Sequence, residues 1–497
     1  MRRIKVDRLR TLRFSSNSRP RTTKNASNSR SPKQGKTLMS KFHAVVMSQE
    51  KSFDNEMVRS KNSFASYQLN HVTSRPLSKL RVSTPVKRTK FLQKFLLSKS
   101  PEATETNVKE YTLGKFIKQF KHELTDYELG EVFSYKFIYY WGVFEEKLAR
   151  AEINKVFDDE KGNLILYKRD HIAFRYEIIR LLGQGSFGQV CECLDHKDNS
   201  KVAVKIIKNS KNLASQAQVE IKILKILNEN DPNNEQSILH IKDSFIFRNH
   251  ICIITELLGK NLYELQISKN FCSFPISLIK KFAIQILNAF KFLESLKIIH
   301  CDIKPENILL MPNERSKIKI ADFGSSCLLS EKIFTYIQSR FYRAPEVLLG
   351  INYGCGIDMW SLGCVLVELA NGKPLFPADC ERELLQLIME VKGFVPPDML
   401  LQSIRKNKFF NQGEILPDKH GNIRKPLSVK FSEVVPGDYL FLDFVERCLE
   451  WEPWKRMTPE EALEHSWIKT HDTENILEKS LPSRLLRRKP FLIKKLV

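Results

Sequence analysis

The sequence is short of acid where it begins. Residues 1–100 carry 24 Lys and Arg against 4 Asp and Glu. Cysteine is absent before Cys191 and after Cys448, and the ten cysteines form no C-x-x-C pair. Scattered thiols without paired spacing argue against a disulfide framework and for reduced cysteines in an intracellular protein, cytoplasmic with the nucleus as a second compartment. No run of 18 apolar residues occurs, so no transmembrane helix is expected. The opening stretch lacks the apolar core of a secretory signal. Its Arg- and Ser-rich start, MRRIKVDRLRTLRFSSNSRPR, has the composition of a mitochondrial presequence, but the bias runs on to about residue 100, too far for one.

What is abundant is positive charge, and it sits at the ends. The net charge is +23, and residues 481–497 hold six basic residues and no acidic one. Residues 101–480 hold 50 basic and 53 acidic residues, so the body is close to neutral. Residues 1–105, rich in Ser, Asn, Lys and Arg with no sustained apolar period, read as a disordered basic tail, and residues 470–497 as a second one. Solubilisation is the plainer role for such a tail. The sharper one is a tether for acidic partners or a nuclear address, with VKRTK at 86–90 as its motif.

An apolar fraction of 42% over 497 residues allows one large domain with extensions, or two to three small ones. Leu113, Phe116, Ile117, Phe120 and Leu124 fall on one helical face, and TDYE at 125–128 spells a capping box from Thr125 to Glu128. The aromatic run FSYKFIYYWGVF at 133–144 cannot stay in water and is expected to pack on a larger body. Residues 106–175 thus read as a small accessory segment. From Tyr176 the pattern is strand-like, and a helix is predicted over 215–228, opened by Ser215 with Gln218 three residues on. HICIITELL at 250–258 reads as a buried strand. Beyond it, Ile279, Phe282, Ile286, Phe290 and Leu293 make one helical face. IDMWSLGCVLVELANG is apolar nearly all round, so it predicts a buried helix ended by Gly372. An α+β chain with a β-rich lobe over 176–258 and a helical lobe over 259–469 puts a cleft between them.

The motifs fall on that cleft. Leu182, Gly183, Gly185, Ser186, Phe187 and Gly188 form a glycine-rich turn whose backbone N–H groups can approach phosphate oxygens. A lone G-x-G-x-x-G also fits a dinucleotide site, but here a strand follows and not a helix. VAVK supplies Lys205, a point charge for the α- and β-phosphates, and Glu220 on the next helix is the acid expected to orient it. In HCDIKPEN, Asp302 can accept the proton of an attacking hydroxyl, Lys304 can reach the transferred phosphoryl and Asn307 can hold a metal ion. ADFG adds Asp322, which should bridge Mg²⁺ between phosphates of ATP. Phosphoryl transfer asks mainly for in-line positioning and charge neutralisation, and these residues follow the chain order of a protein kinase. Val190 and Ala203 are expected above the adenine and Leu309 below it. The Glu256 carbonyl and the Leu258 N–H face its edge, and Thr255 guards the back pocket. Structural roles are expected for Glu346 paired with Arg456 and for Asp358 anchoring the catalytic loop.

HCDIKPEN, with Cys301 where most kinases carry Arg, followed by DFGSSC and TYIQSRFYRAPE, resembles the dual-specificity tyrosine-regulated kinases (DYRK) of the CMGC group. The resemblance runs from about residue 112 to 470. Residues 113–142 are similar to the family's DH box, which suggests its class II branch, and 376–440 to the CMGC insert. LFLDFVERCLEWEP at 440–453 also fits. The resemblance implies that Tyr336 is autophosphorylated once, during folding, while the mature enzyme modifies Ser and Thr. Arg340 and Arg343 suit its phosphate, since Cys301 cannot supply the usual catalytic-loop arginine. The alternative for that stretch is a buried structural tyrosine with solvent-facing arginines.

The sequence departs from the family in places. The first tyrosine of Y-x-Y is Phe334, Thr255 stands where Phe is common, and DCERE at 379–383 diverges at the start of the insert. The resemblance also implies substrates with Arg two or three residues before the acceptor and Pro after it, with Glu306 as the arginine's partner. RVSTPVKR in the basic tail places Arg81 and Pro85 around Thr84 in that pattern, which marks Thr84 as an autophosphorylation site. Two rivals stand beside this reading. One is a pseudokinase scaffold, opposed by the intact set Lys205, Glu220, Asp302, Asn307 and Asp322. The other is a tail-driven nucleic-acid or cytoskeleton-binding protein, whose binding would fall steeply with salt.

Overall fold

Two short strands, β1 (Tyr111–Thr112) and β2 (Phe137–Ile138), pair antiparallel and bracket two helices, α1 (Leu113–Phe120) and α2 (Asp126–Glu131). This is a computed structural model, and it describes residues 109–142, 157–332 and 336–470. Thr84, Phe334 and both basic tails lie outside the described residues. The capping box is present as written: Thr125 Oγ1 accepts from Glu128 N, and the Glu128 carboxylate accepts from Thr125 N at 2.9 Å. Leu124 corrects the expected helical face. Helix α1 stops at Phe120 and a 3₁₀ turn follows, so Leu124 is extended, yet it is buried in the same small cluster.

The upper lobe is a six-stranded antiparallel sheet with strand order β3-β4-β5-β6-β8-β7. Its strands are β3 (His171–Ile172), β4 (Tyr176–Gln184), β5 (Gly188–Asp195), β6 (Ser200–Ile207), β7 (Ile241–Phe247) and β8 (His250–Glu256). Alternate residues Cys191, Cys193, Val202, Val204, Cys252 and Ile254 bury one face. Strand β8 ends at Glu256, two residues before the predicted limit, where the chain leaves the sheet for the lower lobe. Helix α3 spans Lys211–Asn230 and starts four residues before the predicted Ser215. Ser210 is the extended cap residue, and Ser215 lies inside the helix with its hydroxyl donating to Lys211 O. The reason is packing: Leu213 and Ala214 already lie against the core.

The lower lobe is helical. Helix α4 (Leu262–Ser268) and the long α5 (Ile276–Ser295) precede two small two-stranded sheets. In these, β9 (Ile298–Ile299) pairs with β12 (Cys327–Leu328), and β10 (Ile308–Leu310) with β11 (Ile318–Ile320). Helix α6 (Pro345–Leu349) leads to α7 (Gly356–Asn371), which is buried on nearly every side and ends at Gly372 in left-handed backbone. A Cβ at Gly372 would lie 1.9 Å from Phe271 O, so only glycine fits there. Glu346 and Arg456 form the expected pair, two-pronged at 2.7 and 3.0 Å and fully buried.

The accessory segment is fastened to the upper lobe by aromatics and charge. Tyr111, Phe116, Phe120 and Trp141 pack ring against ring, and Tyr139 N and Tyr140 N both donate to Phe174 O. His171 Nδ1 accepts from Phe174 N, so Nε2 carries the proton that meets Glu128 Oε1 at 3.0 Å. Arg248, in the β7–β8 turn, donates to both oxygens of Glu131 at 3.0 Å and lies over the rings of Phe157 and Phe247 at 4.6 Å. Its side chain is only 9% exposed, so truncation leaves a shielded carboxylate without its partner. Arg248→Ala is therefore expected to lower unfolding free energy by about 2 kcal/mol, against less than about 1 kcal/mol for the exposed Arg169→Ala. Urea titration of the two variants checks the difference.

Candidate active site

Strands β4 and β5 turn over the cleft through the glycine-rich segment. Gly185 N donates to Gly188 O at 2.8 Å, and Lys208 ties the turn down by donating through its backbone to Phe187 O and through Nζ to Ser186 O. Gly188 has φ +156°, and a Cβ there would meet Ile206 O at 2.0 Å. The space where Gly183 or Gly185 would carry a Cβ is open. Leu182 is half-buried beside them.

Below the turn, three charged groups from three elements meet. Lys205 Nζ, from β6, donates to Glu220 Oε1 of helix α3 at 2.7 Å and to Asp322 Oδ1 at 2.8 Å. Burial pushes the lysine down, but the two carboxylates outweigh it and hold the ammonium well above its usual range. Burial also pushes Asp322 up, and Lys205 more than reverses this, leaving the carboxyl well below the ordinary range. Asp322 itself is in left-handed backbone, φ 63°.

The catalytic loop is held from beneath. Asp358, from α7, accepts from His300 N at 2.8 Å and Cys301 N at 3.0 Å. Burial pushes its carboxyl up to about 7 although both N–H groups act the other way. Cys301 is fully buried, with Sγ 3.8 Å from Cys327 Sγ, so it fills interior space and puts no cation near the activation loop. Lys304 Nζ lies 2.6 Å from Asp302 Oδ2, and Asn307 Nδ2 donates to Asp302 O at 2.8 Å. That orientation leaves the Asn307 amide oxygen for a metal ion. Ser339 donates to Asp302 Oδ1 twice, from N at 3.0 Å and from Oγ at 2.7 Å.

The residues expected around the adenine share the same cleft. Ala203 pairs with Thr255 across β6 and β8, and Val190 pairs with Lys205 across β5 and β6. Val190, Ala203, Leu258 and Leu309 are half-buried, whereas Thr255 is buried. The Glu256 carboxylate points away from the cleft, accepting from Lys319 Nζ at 2.6 Å and from His240 N at 2.9 Å.

In the activation segment, the Arg343 guanidinium carbon lies 4.0 Å from the Tyr336 ring centroid. Its nitrogens donate to Ile337 O, Gln338 O and Glu381 Oε1. Arg340 Nη1 donates to Asp379 O at 2.8 Å. Both arginines are largely buried, unlike the solvent-facing pair of the alternative reading. Sequence reasoning missed Ser339 and the loop-shaping work of Arg343. The only signal for Ser339 was a small hydroxyl between two long polar residues in YIQSRFYR.

Comparison with known proteins agrees with this geometry. Residues 176–468 match the protein kinase domain family. The chain is 44% identical over 405 residues to dual specificity tyrosine-phosphorylation-regulated kinase 4 of Homo sapiens, covering 79% of this chain and 78% of that protein. It is 45% identical over 368 residues to the corresponding kinase 2 of Drosophila melanogaster, covering 72% of this chain and 51% of that protein. With kinase 3 of Rattus norvegicus it shares 43% over 377 residues, 71% of this chain and 64% of that protein. Among the described residues no helix is long and apolar enough to cross a membrane. A two-lobed fold, a lysine held by carboxylates from both lobes and this level of identity place the chain in the DYRK family of dual-specificity protein kinases.

Proposed function

We propose that this chain transfers the γ-phosphoryl group of ATP to Ser or Thr in proteins carrying Arg before and Pro after the acceptor. We further propose that it activates itself once by autophosphorylation of Tyr336. The kinase domain spans 176–469 on this reading, with 106–175 as its accessory segment. The observation that carries the proposal is Asp302, fixed by Ser339 and flanked by Lys304, at the mouth of a cleft that also holds Lys205 and Asp322. Asp302 orients the acceptor hydroxyl and takes up its proton. Lys304 neutralises charge on the transferred group, and Lys205 holds the α- and β-phosphates. Asn307 and the strongly acidic Asp322 suit Mg²⁺, which when bound neutralises phosphate charge. Asp302→Asn and Lys205→Arg should each lower kcat about 100-fold or more while leaving the melting temperature unchanged. Peptide phosphorylation assays on folded variants decide this, and near-normal turnover in either would remove that residue from the mechanism.

The specificity reading has two physical supports. Glu306 Oε2 is buried without a hydrogen-bond partner among the described residues, and burial pushes the carboxyl above its ordinary range against the pull of Lys304. Glu368, also buried, adds a second acid to its field. Such a pocket gains from an incoming guanidinium. The second support is Gln338, in left-handed backbone at φ 67°, whose carbonyl already accepts from Arg343 Nη2 at 2.9 Å. An acceptor so engaged offers little to the N–H of the residue after the phosphoacceptor. Proline, which has no N–H, loses nothing there. Glu306→Gln should cut the preference for an Arg-containing peptide over its Arg→Ala analogue about tenfold. Equal discrimination by both enzymes in paired kcat/KM measurements would refute the pocket. Because the raised carboxyl must ionise to pair, wild-type discrimination should also weaken on acidification from neutral pH.

A phosphate on Tyr336 would sit beside a guanidinium that now stacks on its ring. The 3.2 Å contact of Arg343 with Glu381 is the longest of its three and the one a dianion can most readily replace. Arg340 is the second expected ligand. Charge-assisted bonds of this kind are worth about 1.5–3 kcal/mol each when shielded. Tyr336→Phe should therefore lower activity strongly, whereas Phe334→Tyr should change little. Intact-mass and peptide mapping of protein made in a host without tyrosine kinases should find phosphate on Tyr336 in the wild type and none in Asp302→Asn. A fully active enzyme with unmodified Tyr336 would overturn the idea.

A further inference from the structure

Strand β11 reads IKI, and its central lysine, Lys319, is 3% exposed. A buried ammonium needs partners, and the ones found here come from the other lobe. Lys319 Nζ donates to Glu256 Oε1 at 2.6 Å and to Asn234 Oδ1. Glu256 is the last residue of β8, where the chain crosses between lobes. Asn234 lies in the loop after helix α3, in left-handed backbone at φ 59°. That loop is itself built around charge. Asp231 accepts from Glu235 N, Gln236 N and His240 Nε2, and His240 N donates to Glu256 Oε1 at 2.9 Å. Backbone bonds stitch the same loop to β11: Leu239 N donates to Ile320 O and Ile320 N to Ser237 O. Lys319 also pairs in register with Leu309, the expected floor under the adenine, and lies three residues before Asp322.

We propose that Lys319 is a positioning residue, which holds the Glu256 carboxylate and the Asn234 amide and so fixes the hinge backbone over the Leu309 floor. The ammonium acts through Glu256, whose carboxylate it holds, while the backbone carbonyl of that residue, which accepts from Thr255 Oγ1 at 3.2 Å, is the one expected at the adenine edge. This rests on the adenine reading of the hinge given above. Loss of the clamp should therefore be read in nucleotide binding more than in chemistry.

The test is steady-state kinetics on the full chain, varying ATP and peptide separately. Lys319→Met should raise KM for ATP about tenfold, leaving kcat and the peptide KM near wild type. Asn234→Gly removes the amide but keeps a residue at ease with φ 59°, and should shift KM for ATP in the same direction with the fold undisturbed. The double variant Lys319→Met/Glu256→Met separates positioning from mere stability. Removing both charges should recover the melting temperature lost by Lys319→Met alone, because no carboxylate is left without its cation. KM for ATP should stay high. Unchanged KM for ATP in both single variants, or its return to wild type together with the melting temperature, would overturn the proposal. Lys317→Met, at a side chain 67% exposed just before the same strand, is the control. Asp302→Asn run alongside keeps the two readings apart. A dead Asp302→Asn with a normal Lys319→Met removes only the clamp, whereas an active Asp302→Asn removes the kinase site itself.

Discussion

The cleft depends on where the backbone turns at Cys301. That residue has φ 66°, a conformation that costs a non-glycine residue about 1–2 kcal/mol. Asp358 reaches up from the buried helix α7 and accepts from the N–H groups of His300 and Cys301, which offsets the strain. His300 Nδ1 accepts from Asp302 N, so its Nε2 donates to Ala321 O at 3.1 Å, and the ring packs edge-on against Phe323. Burial keeps that imidazole below its usual pKa, so it serves as a neutral spacer rather than a third charge. One carboxylate thereby fixes both the loop carrying Asp302, Lys304 and Asn307 and the distance from that loop to Asp322. The apolar surround that makes α7 a good foundation is also what pushes the Asp358 carboxyl up.

Much of this was legible because phosphoryl transfer needs charges in a fixed order along the chain. Lys205, Glu220, Asp302, Asn307 and Asp322 announced themselves by spacing, and so did the pairs Glu346–Arg456 and Thr125–Glu128. Elements defined by long-range packing were less legible. Ser215 looked like a cap because it precedes Gln218 at capping-box spacing, but Leu213 and Ala214 had already found the core and the helix began before it. Leu124 kept the helical period after the helix had ended, since burial in a cluster does not require helical backbone. Ser339 and Lys319 were invisible for another reason. Each acts on a residue distant in sequence, and neither residue type carries a spacing of its own.

The accessory segment shows the same economy on the opposite side of the upper lobe. Glu128 closes its own helix cap with one oxygen and meets His171 with the other. Thr125 and His171 thus bind one carboxylate, so the start of helix α2 and strand β3 cannot shift independently. Arg248 repeats the device through Glu131, one turn further along the helix. Two acids on a six-residue helix are therefore enough to tie the segment to opposite edges of the sheet, β3 and the β7–β8 turn.

Arg343 joins the remaining pieces. Its three nitrogens shape Ile337 and Gln338, reach Glu381 at the start of the 381–392 helix, and its plane covers Tyr336. Glu381 in turn holds Arg405 at 2.7 Å, so the insert region and the activation segment share one carboxylate. With Cys301 offering no charge, the cation that the catalytic loop does contribute here is Lys304, whose Nζ donates to Ser339 Oγ at 3.2 Å. The Arg343 fork ties the backbone of Ile337 and Gln338 to Glu381, a residue distant in sequence. Lysine could not substitute, because a point charge cannot serve two adjacent carbonyls, a carboxylate and an aromatic face at once. A loop built this way is held by its own carbonyls and one carboxylate. The phosphate proposed for Tyr336 would add charge to an arrangement whose geometry those carbonyls already define.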